Sequence, residues 1–132
     1  MLNLNLMTVF AVALGGAAGA LLRLLLRQAS HYWWGAGFPW GTLLANGLGS
    51  FSAGLLFSLF SQAIWELPEA WRLGLMIGLL GALTTFSTFS VDILQMVQQQ
   101  EWGKAVLNLF ANVGISLGAV FVGAWLGGRM AP

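Results

Sequence analysis

The fold is decided by residues 78–90, which read Gly78-Leu79-Leu80-Gly81-Ala82-Leu83-Thr84-Thr85-Phe86-Ser87-Thr88-Phe89-Ser90. This stretch lies in the third of four long apolar runs, and five of its last seven residues carry a hydroxyl group. Because hydroxyl side chains compete for backbone hydrogen-bonding groups, we predict that the third helix breaks here. A break in the middle of a membrane exposes backbone carbonyls that can hold a cation.

The composition around this stretch is that of a membrane protein. Of 132 residues, 58% are hydrophobic and 7% are charged, whereas about 25% are charged in an ordinary soluble domain. The apolar residues form runs long enough to cross ~30 Å of hydrocarbon. We therefore predict one all-α domain covering residues 1–132, with four transmembrane helices at about 6–26, 40–64, 73–97 and 105–126.

Composition also excludes several partners and sites. The chain has no cysteine, so disulfides and thiolate metal sites are not available. Its net charge is +1 and its basic residues are scattered, which argues against a nucleic-acid partner. The first apolar run is expected to remain in the protein, since Met1–Phe10 lacks the basic residues of a cleaved signal.

The basic residues give only a weak preference for one orientation in the membrane. Arg23, Arg27 and Lys104 are predicted on one side, and Arg72 and Arg129 on the other. Three against two is almost no bias under the positive-inside rule. The sequence therefore permits insertion in both orientations, and two oppositely oriented copies could pair.

Polar residues inside the second and fourth spans form two stripes with a four-residue spacing, which puts each set on one helical face. These residues are Thr42, Asn46 and Ser50 in the second span, and Asn108, Asn112 and Ser116 in the fourth. Two interpretations remain open. The stripes could line a narrow polar track, or they could form interhelical hydrogen bonds worth ~0.6 kcal/mol each.

Two aromatic and two charged residues are further candidates for function. Phe86 and Phe89 lie three residues apart and share a face if the helix persists. Since the edge of an aromatic ring is positive, such rings can meet an anion, although they could equally be core or lipid-facing residues. Arg23 could reach the lipid headgroups or attract anions at a pore mouth. Asp92 is the only carboxylate within a predicted span.

Three classes of membrane protein are consistent with this pattern, and we expect none of them to be an enzyme. A small dual-topology, proton-coupled multidrug exporter needs a carboxylate in the membrane, and the first span has none. An assembly or anchor subunit would not need buried polar stripes. The missing carboxylate favours a channel over the exporter.

Three motifs in order resemble those of the bacterial Fluc, or CrcB, fluoride channels, over essentially the whole chain. They are Gly15-Gly16 through Gly19 with Arg23, Gly41-Thr42-Leu43-Leu44-Ala45-Asn46, and Thr84-Thr85-Phe86-Ser87-Thr88-Phe89-Ser90. One departure is Ala82, which stands where relatives often have a second glycine. A carbonyl ligand needs backbone and no particular side chain, so we expect this change to be tolerated.

The resemblance implies an antiparallel homodimer in the bacterial inner membrane, with two pores that export fluoride passively from the cytoplasm. It also implies a structural sodium ion at the centre of the dimer, held by the backbone carbonyls of Gly81 and Thr84 from both subunits. The residues implied at the pores are Asn46, Phe86, Phe89, Ser87, Thr88 and Ser116, with Arg23 near the vestibule. Beyond fluoride and the lipid bilayer, the only implied partner is a second copy of the chain.

Overall fold

The computed structural model describes residues 4–130 as an all-helical chain with four spans that are long and apolar enough to cross a membrane. This confirms the predicted four-span architecture. The first, second and fourth spans are single helices, and the third is divided. The elements are α1 Leu6–Trp34, α2 Trp40–Ser61, α3 Glu69–Leu73, a π-helix Gly74–Leu80, α4 Gly81–Leu83, α5 Phe86–Gln98 and α6 Trp102–Gly128.

The ends of α1 are set by local hydrogen bonds. The Asn5 side chain accepts a hydrogen bond from the Thr8 backbone N–H at 2.8 Å, which caps the first turn. At the other end α1 continues past the predicted span end at Leu26 as far as Trp34. It stops at Gly35, whose φ of 74° is costly for any residue with a Cβ.

The third span is interrupted at Thr84 and Thr85, which both adopt extended backbone conformations between α4 and α5. The predicted break is therefore confirmed, and it falls near the middle of the span Glu69–Gln98. Thr85 then starts the next helix, because its Oγ1 accepts a hydrogen bond from the Thr88 backbone N–H at 3.1 Å. The π-helix before the break was not predicted from the sequence.

Glycines allow the spans to approach closely in two pairs. The first pair is α1 with the first half of the third span, and the second is α2 with α6. A Cβ at Gly15 would overlap the Gly74 carbonyl oxygen, and a Cβ at Gly123 would overlap that of Phe51. Such close backbone contact replaces the hydrophobic driving force that is missing between helices in lipid.

Aromatic residues gather at both ends of the bundle. Trp34 lies 6.2 Å from Trp40, between ring centroids, at the end formed by residues 35–39 and 99–101. At the opposite end Phe60 stacks on Trp65 at 5.7 Å, and the Arg72 guanidinium lies over the Phe60 ring. Tryptophans in these positions are typical of membrane interfaces.

Gly15 and Gly16 provide a matched test of the close packing. We expect Gly15→Ala to destabilise the protein by about 1–3 kcal/mol, since the added methyl group forces α1 away from the third span. Gly16→Ala is the control, because a Cβ there meets no atom within 4 Å. Thermal unfolding of both purified variants in detergent checks this, and equal unfolding temperatures would contradict it.

Candidate functional site

A cavity of about 490 Å³, here called the inner cavity, lies between α2, α6 and the break in the third span. It brings together eight of the residues singled out from the sequence. These are Asn46, Ser50, Gly81, Thr84, Phe86, Phe89, Asn112 and Ser116. Residues from three spans thus meet at one place, which is open at the surface of the single subunit.

The Asn46 side-chain amide makes hydrogen bonds to the broken backbone of the third span through both its oxygen and its nitrogen. Its Oδ1 accepts a hydrogen bond from the Thr85 N–H at 2.7 Å, and its Nδ2 donates to the Thr85 carbonyl at 3.2 Å. The same Nδ2 donates to Asn112 Oδ1 on α6 at 2.9 Å. One amide therefore satisfies backbone groups that helix geometry leaves unpaired, and it joins α2 to α6.

Phe86 and Phe89 form an aromatic pair beside these amides. Their ring centroids are 5.4 Å apart and the ring planes are inclined by 62°, an edge-to-face arrangement. Phe89 is 5% exposed and so is not a lipid-facing residue, whereas Phe86 is 77% exposed on the single subunit. The pair places positive ring edges in the same cavity as neutral hydrogen-bond donors.

The hydroxyl groups predicted at the pore divide into two sets. Ser116, on α6, lines the inner cavity. Ser87 and Thr88 are not among its lining residues; they bond to Thr85, whose Oγ1 donates to Thr88 Oγ1 at 3.0 Å and lies 3.3 Å from Ser87 Oγ. In this structure Ser87 and Thr88 therefore stabilise the start of α5.

The break also releases a backbone carbonyl at the surface of the subunit. In an uninterrupted helix the Thr85 N–H would bond to the Gly81 carbonyl, but here it donates to Asn46. Gly81 is exposed and Thr84 is half-buried. Neutral carbonyl oxygens freed from a helix suit a hard monovalent cation, so this backbone fits the ligand set expected for sodium. One subunit offers two such carbonyls from Gly81 and Thr84.

A second cavity of about 630 Å³, here called the vestibule, opens at the end of the bundle formed by residues 35–39 and 99–101. Its base includes Thr42, whose hydroxyl donates to Asp92 Oδ2 at 2.7 Å. Arg27 lines the vestibule and Arg23, one turn earlier on α1, is not among its lining residues. The hydrogen bond between Thr42 and Asp92 was missed in the sequence, although both residues stood out there as polar groups inside spans.

The polar stripes of α2 and α6 form hydrogen bonds between the two helices, and part of them lines the inner cavity. Asn46 and Asn112 bond to each other across the two helices and also line the inner cavity. Asn112 Nδ2 in turn donates to Asn108 Oδ1 at 2.7 Å. The interhelical hydrogen bonds predicted from the spacing are therefore present, Asn112 joins the residues that line the inner cavity, and the polar track stays a prediction.

Four apolar spans with hydrogen-bonded polar side chains between them define a small multi-pass membrane protein. Comparison with known families agrees with the resemblance found in the sequence. The model of the family described as CrcB-like protein, Camphor Resistance (CrcB), matches residues 10–124. The chain belongs to the CrcB family.

Several curated proteins are similar to this chain over most of its length, and each is named fluoride-specific ion channel FluC. One from Magnetococcus marinus is 46% identical over 121 residues, a match that covers 92% of this chain and 98% of that protein. One from Hydrogenovibrio crunogenus is 41% identical and covers 96% of each chain. One from Shewanella halifaxensis is 46% identical over 89% of this chain and 94% of that protein.

Asn46→Leu tests whether one amide holds the break. The change keeps the side-chain size but leaves the Thr85 N–H and carbonyl without their partner, which should cost about 2–4 kcal/mol. We expect faster hydrogen exchange at the Thr85 amide and a lower unfolding temperature. Ser50→Ala is the control on the same face of α2, since Ser50 also lines the inner cavity. If the Thr85 amide hydrogen exchanges at the same rate in Asn46→Leu and Ser50→Ala, the break is held by other contacts.

Proposed function

We propose that this protein is a fluoride-selective ion channel. The observation that carries the proposal is the inner cavity, where the edge-to-face pair Phe86 and Phe89 meets the amides of Asn46 and Asn112. Its relatives named as fluoride-specific ion channels match nearly the whole chain, which supports the same function here. A channel of this kind moves an ion and catalyses no covalent reaction.

The chemistry of the cavity suits an anion that holds its water tightly. Fluoride must exchange hydration for closely spaced donors, yet the site must bind weakly enough to release it. The Ser116 hydroxyl and the positive ring edges are donors without formal charge, whereas the Asn46 and Asn112 amide nitrogens each already donate two hydrogen bonds within the protein. A lysine or arginine in the same place would attract the ion more strongly and hold it longer. No basic residue is among those that line the inner cavity.

Passive export from a bacterial cell follows from the membrane potential. In an inner membrane with a negative cytoplasm, the potential favours anion exit by ~2.3 kcal/mol per 100 mV. The protein then needs no site that couples transport to an energy source. The vestibule, lined by Arg27 together with the carboxylates of Asp92 and Glu101, would connect the path to the aqueous side.

The proposed working unit is an antiparallel homodimer with two pores and one central sodium ion. Two surfaces of the single subunit support it: Phe86 is largely exposed beside the cavity, and Gly81 is exposed where the break frees its carbonyl. A twofold axis in the membrane plane would bring the carbonyls of Gly81 and Thr84 from both copies together. Four neutral oxygens would then hold the sodium ion, which would act as a structural element.

The proton-coupled exporter remains the principal rival, and one assay separates it from a channel. Purified protein in liposomes loaded with potassium fluoride should release fluoride when valinomycin lets potassium leave and compensate the charge. An exporter would instead need a proton gradient and a cationic substrate. Fluoride release that requires a proton gradient would overturn the channel proposal.

Phe86→Ile and Phe89→Ile test the role of the ring edges. Each change keeps apolar bulk but removes the positive edge, so we expect fluoride flux in liposomes to fall by at least tenfold while the protein remains folded. Phe10→Ile is the control, because Phe10 is an exposed residue on α1 outside both cavities. Wild-type fluoride flux in Phe86→Ile or in Phe89→Ile would show that the replaced ring is not part of the ion path.

The antiparallel dimer can be tested with a single engineered cysteine, since the natural chain has none. Gly37→Cys lies in an exposed connection where a Cβ meets no atom within 4 Å. A membrane-impermeant maleimide should label part of the protein in intact cells and the rest only after permeabilisation. A structure of the purified dimer in sodium should show one cation on its axis. Labelling from one side alone, or an axis without a cation, would contradict the proposal.

A further inference from the structure

Gly49, a buried residue of α2, differs from the glycines that bring the spans together. At Gly15, Gly54 and Gly123 an added Cβ would first meet a backbone carbonyl oxygen of the neighbouring span. At Gly49 it would instead overlap the side-chain methyl group of Thr84, in the break of the third span. The missing side chain of Gly49 therefore makes room for one group of the break, and not for a helix backbone.

The direction of this methyl group is set by the hydroxyl group on the same carbon atom. Thr84 Oγ1 donates a hydrogen bond to the Leu80 carbonyl at 2.8 Å, and the Thr84 N–H donates to the same oxygen at 3.0 Å. Because the Cβ of threonine is chiral and its substituents are staggered, placing the hydroxyl also places the methyl. The Thr84 side chain therefore has one position here, and Gly49 leaves that position open.

Gly49 and Asn46 hold neighbouring residues of the break from one side of α2. They lie three residues apart and so share a face of the helix. Asn46 Oδ1 accepts a hydrogen bond from the Thr85 N–H at 2.7 Å, and Gly49 accommodates the Thr84 methyl group. The two contacts thus fix both ends of a single peptide unit, the one that joins Thr84 to Thr85.

This peptide unit carries the Thr84 carbonyl. No peptide bond in the described part of the chain is cis, and in a planar trans unit the C=O and N–H groups point in opposite directions. Since the Thr85 N–H points to Asn46, the Thr84 carbonyl points away from it. The ψ of Thr84 is 154°, far from the helical value, so this orientation depends on how the Thr84 side chain is held.

We propose that Gly49 is a positioning residue for the proposed sodium site. By leaving room for the Thr84 methyl group, Gly49 fixes the orientation of the Thr84 carbonyl, one of the oxygens that would hold the cation. The inference rests on the proposed dimer with its central sodium ion and adds the residue that positions one pair of ligands. A methyl group at position 49 would displace Thr84 in both copies, because twofold symmetry repeats every change.

Sodium-dependent thermal unfolding tests this role. Full-length protein purified without sodium would be unfolded in detergent at increasing sodium chloride, with choline chloride keeping the ionic strength constant. A ligand of the folded state raises the unfolding temperature, and the concentration at which the rise begins reports the dissociation constant. We expect Gly49→Ala to raise that sodium concentration about tenfold or more. Gly103→Ala is the control, because a Cβ there meets no atom within 4 Å.

Thr84→Ser supplies a rescue of Gly49→Ala. It keeps a hydroxyl that can bond to Leu80 but removes the methyl group that the added Cβ would overlap. The double variant Gly49→Ala/Thr84→Ser should therefore bind sodium within about threefold of Thr84→Ser alone. The comparison also decides if Gly49→Ala does not fold, since the double variant has room for both side chains. A double variant that binds sodium as weakly as Gly49→Ala, or does not fold, would overturn the inference.

The sodium dependence separates positioning from packing. A glycine needed only for packing would, as alanine, lower the unfolding temperature equally in sodium and in choline, and that result would also overturn the inference. Fluoride flux in liposomes distinguishes the underlying proposals. Wild-type protein that conducts fluoride but unfolds independently of sodium defeats this inference and the central sodium ion. Wild-type protein without fluoride flux defeats the proposed function.

Discussion

The rest of the structure depends on how the broken backbone of the third span is satisfied away from water. An extended Thr85 has a backbone N–H and a carbonyl that no helix can pair, and each would be costly in a lipid-like interior. The Asn46 amide provides the matching acceptor and donor at 2.7 and 3.2 Å. Once Thr85 is held in this way, the Gly81 carbonyl loses its helical partner and α5 begins at a fixed point.

This one contact also arranges the polar interior. Asn46 leaves its Nδ2 in reach of Asn112, so α2, α6 and the break meet at a single position. Phe86 and Phe89, in the first turn of α5, then point to the same cavity as the amides. A neutral polar site results, and its geometry depends on hydrogen bonds between spans that are far apart in the sequence.

Much of the fold could be predicted from the sequence because its causes are local. Run length predicts the spans, and the hydroxyl groups of residues 84–90 predict the break. The four-residue stripes indicated Asn46 and Ser116. The π-helix has no comparable signal, since it depends on packing against α1. The vestibule position of Arg27 depends on the rotation of α1 against its neighbours, which spacing alone does not determine.

The pairing of spans through glycine has a consequence for how the chain is made. The close pairs are α1 with the third span and α2 with α6, so neither pair consists of consecutive spans. A first hairpin of α1 and α2 can bring Gly41 against Arg27, but Gly15 and Gly54 have their partners on spans that are not yet made. The closest glycine contacts of α1 therefore form only after the third span has been synthesised, and those between α2 and α6 only after the fourth. A chain that ends before the fourth span lacks the second set of contacts.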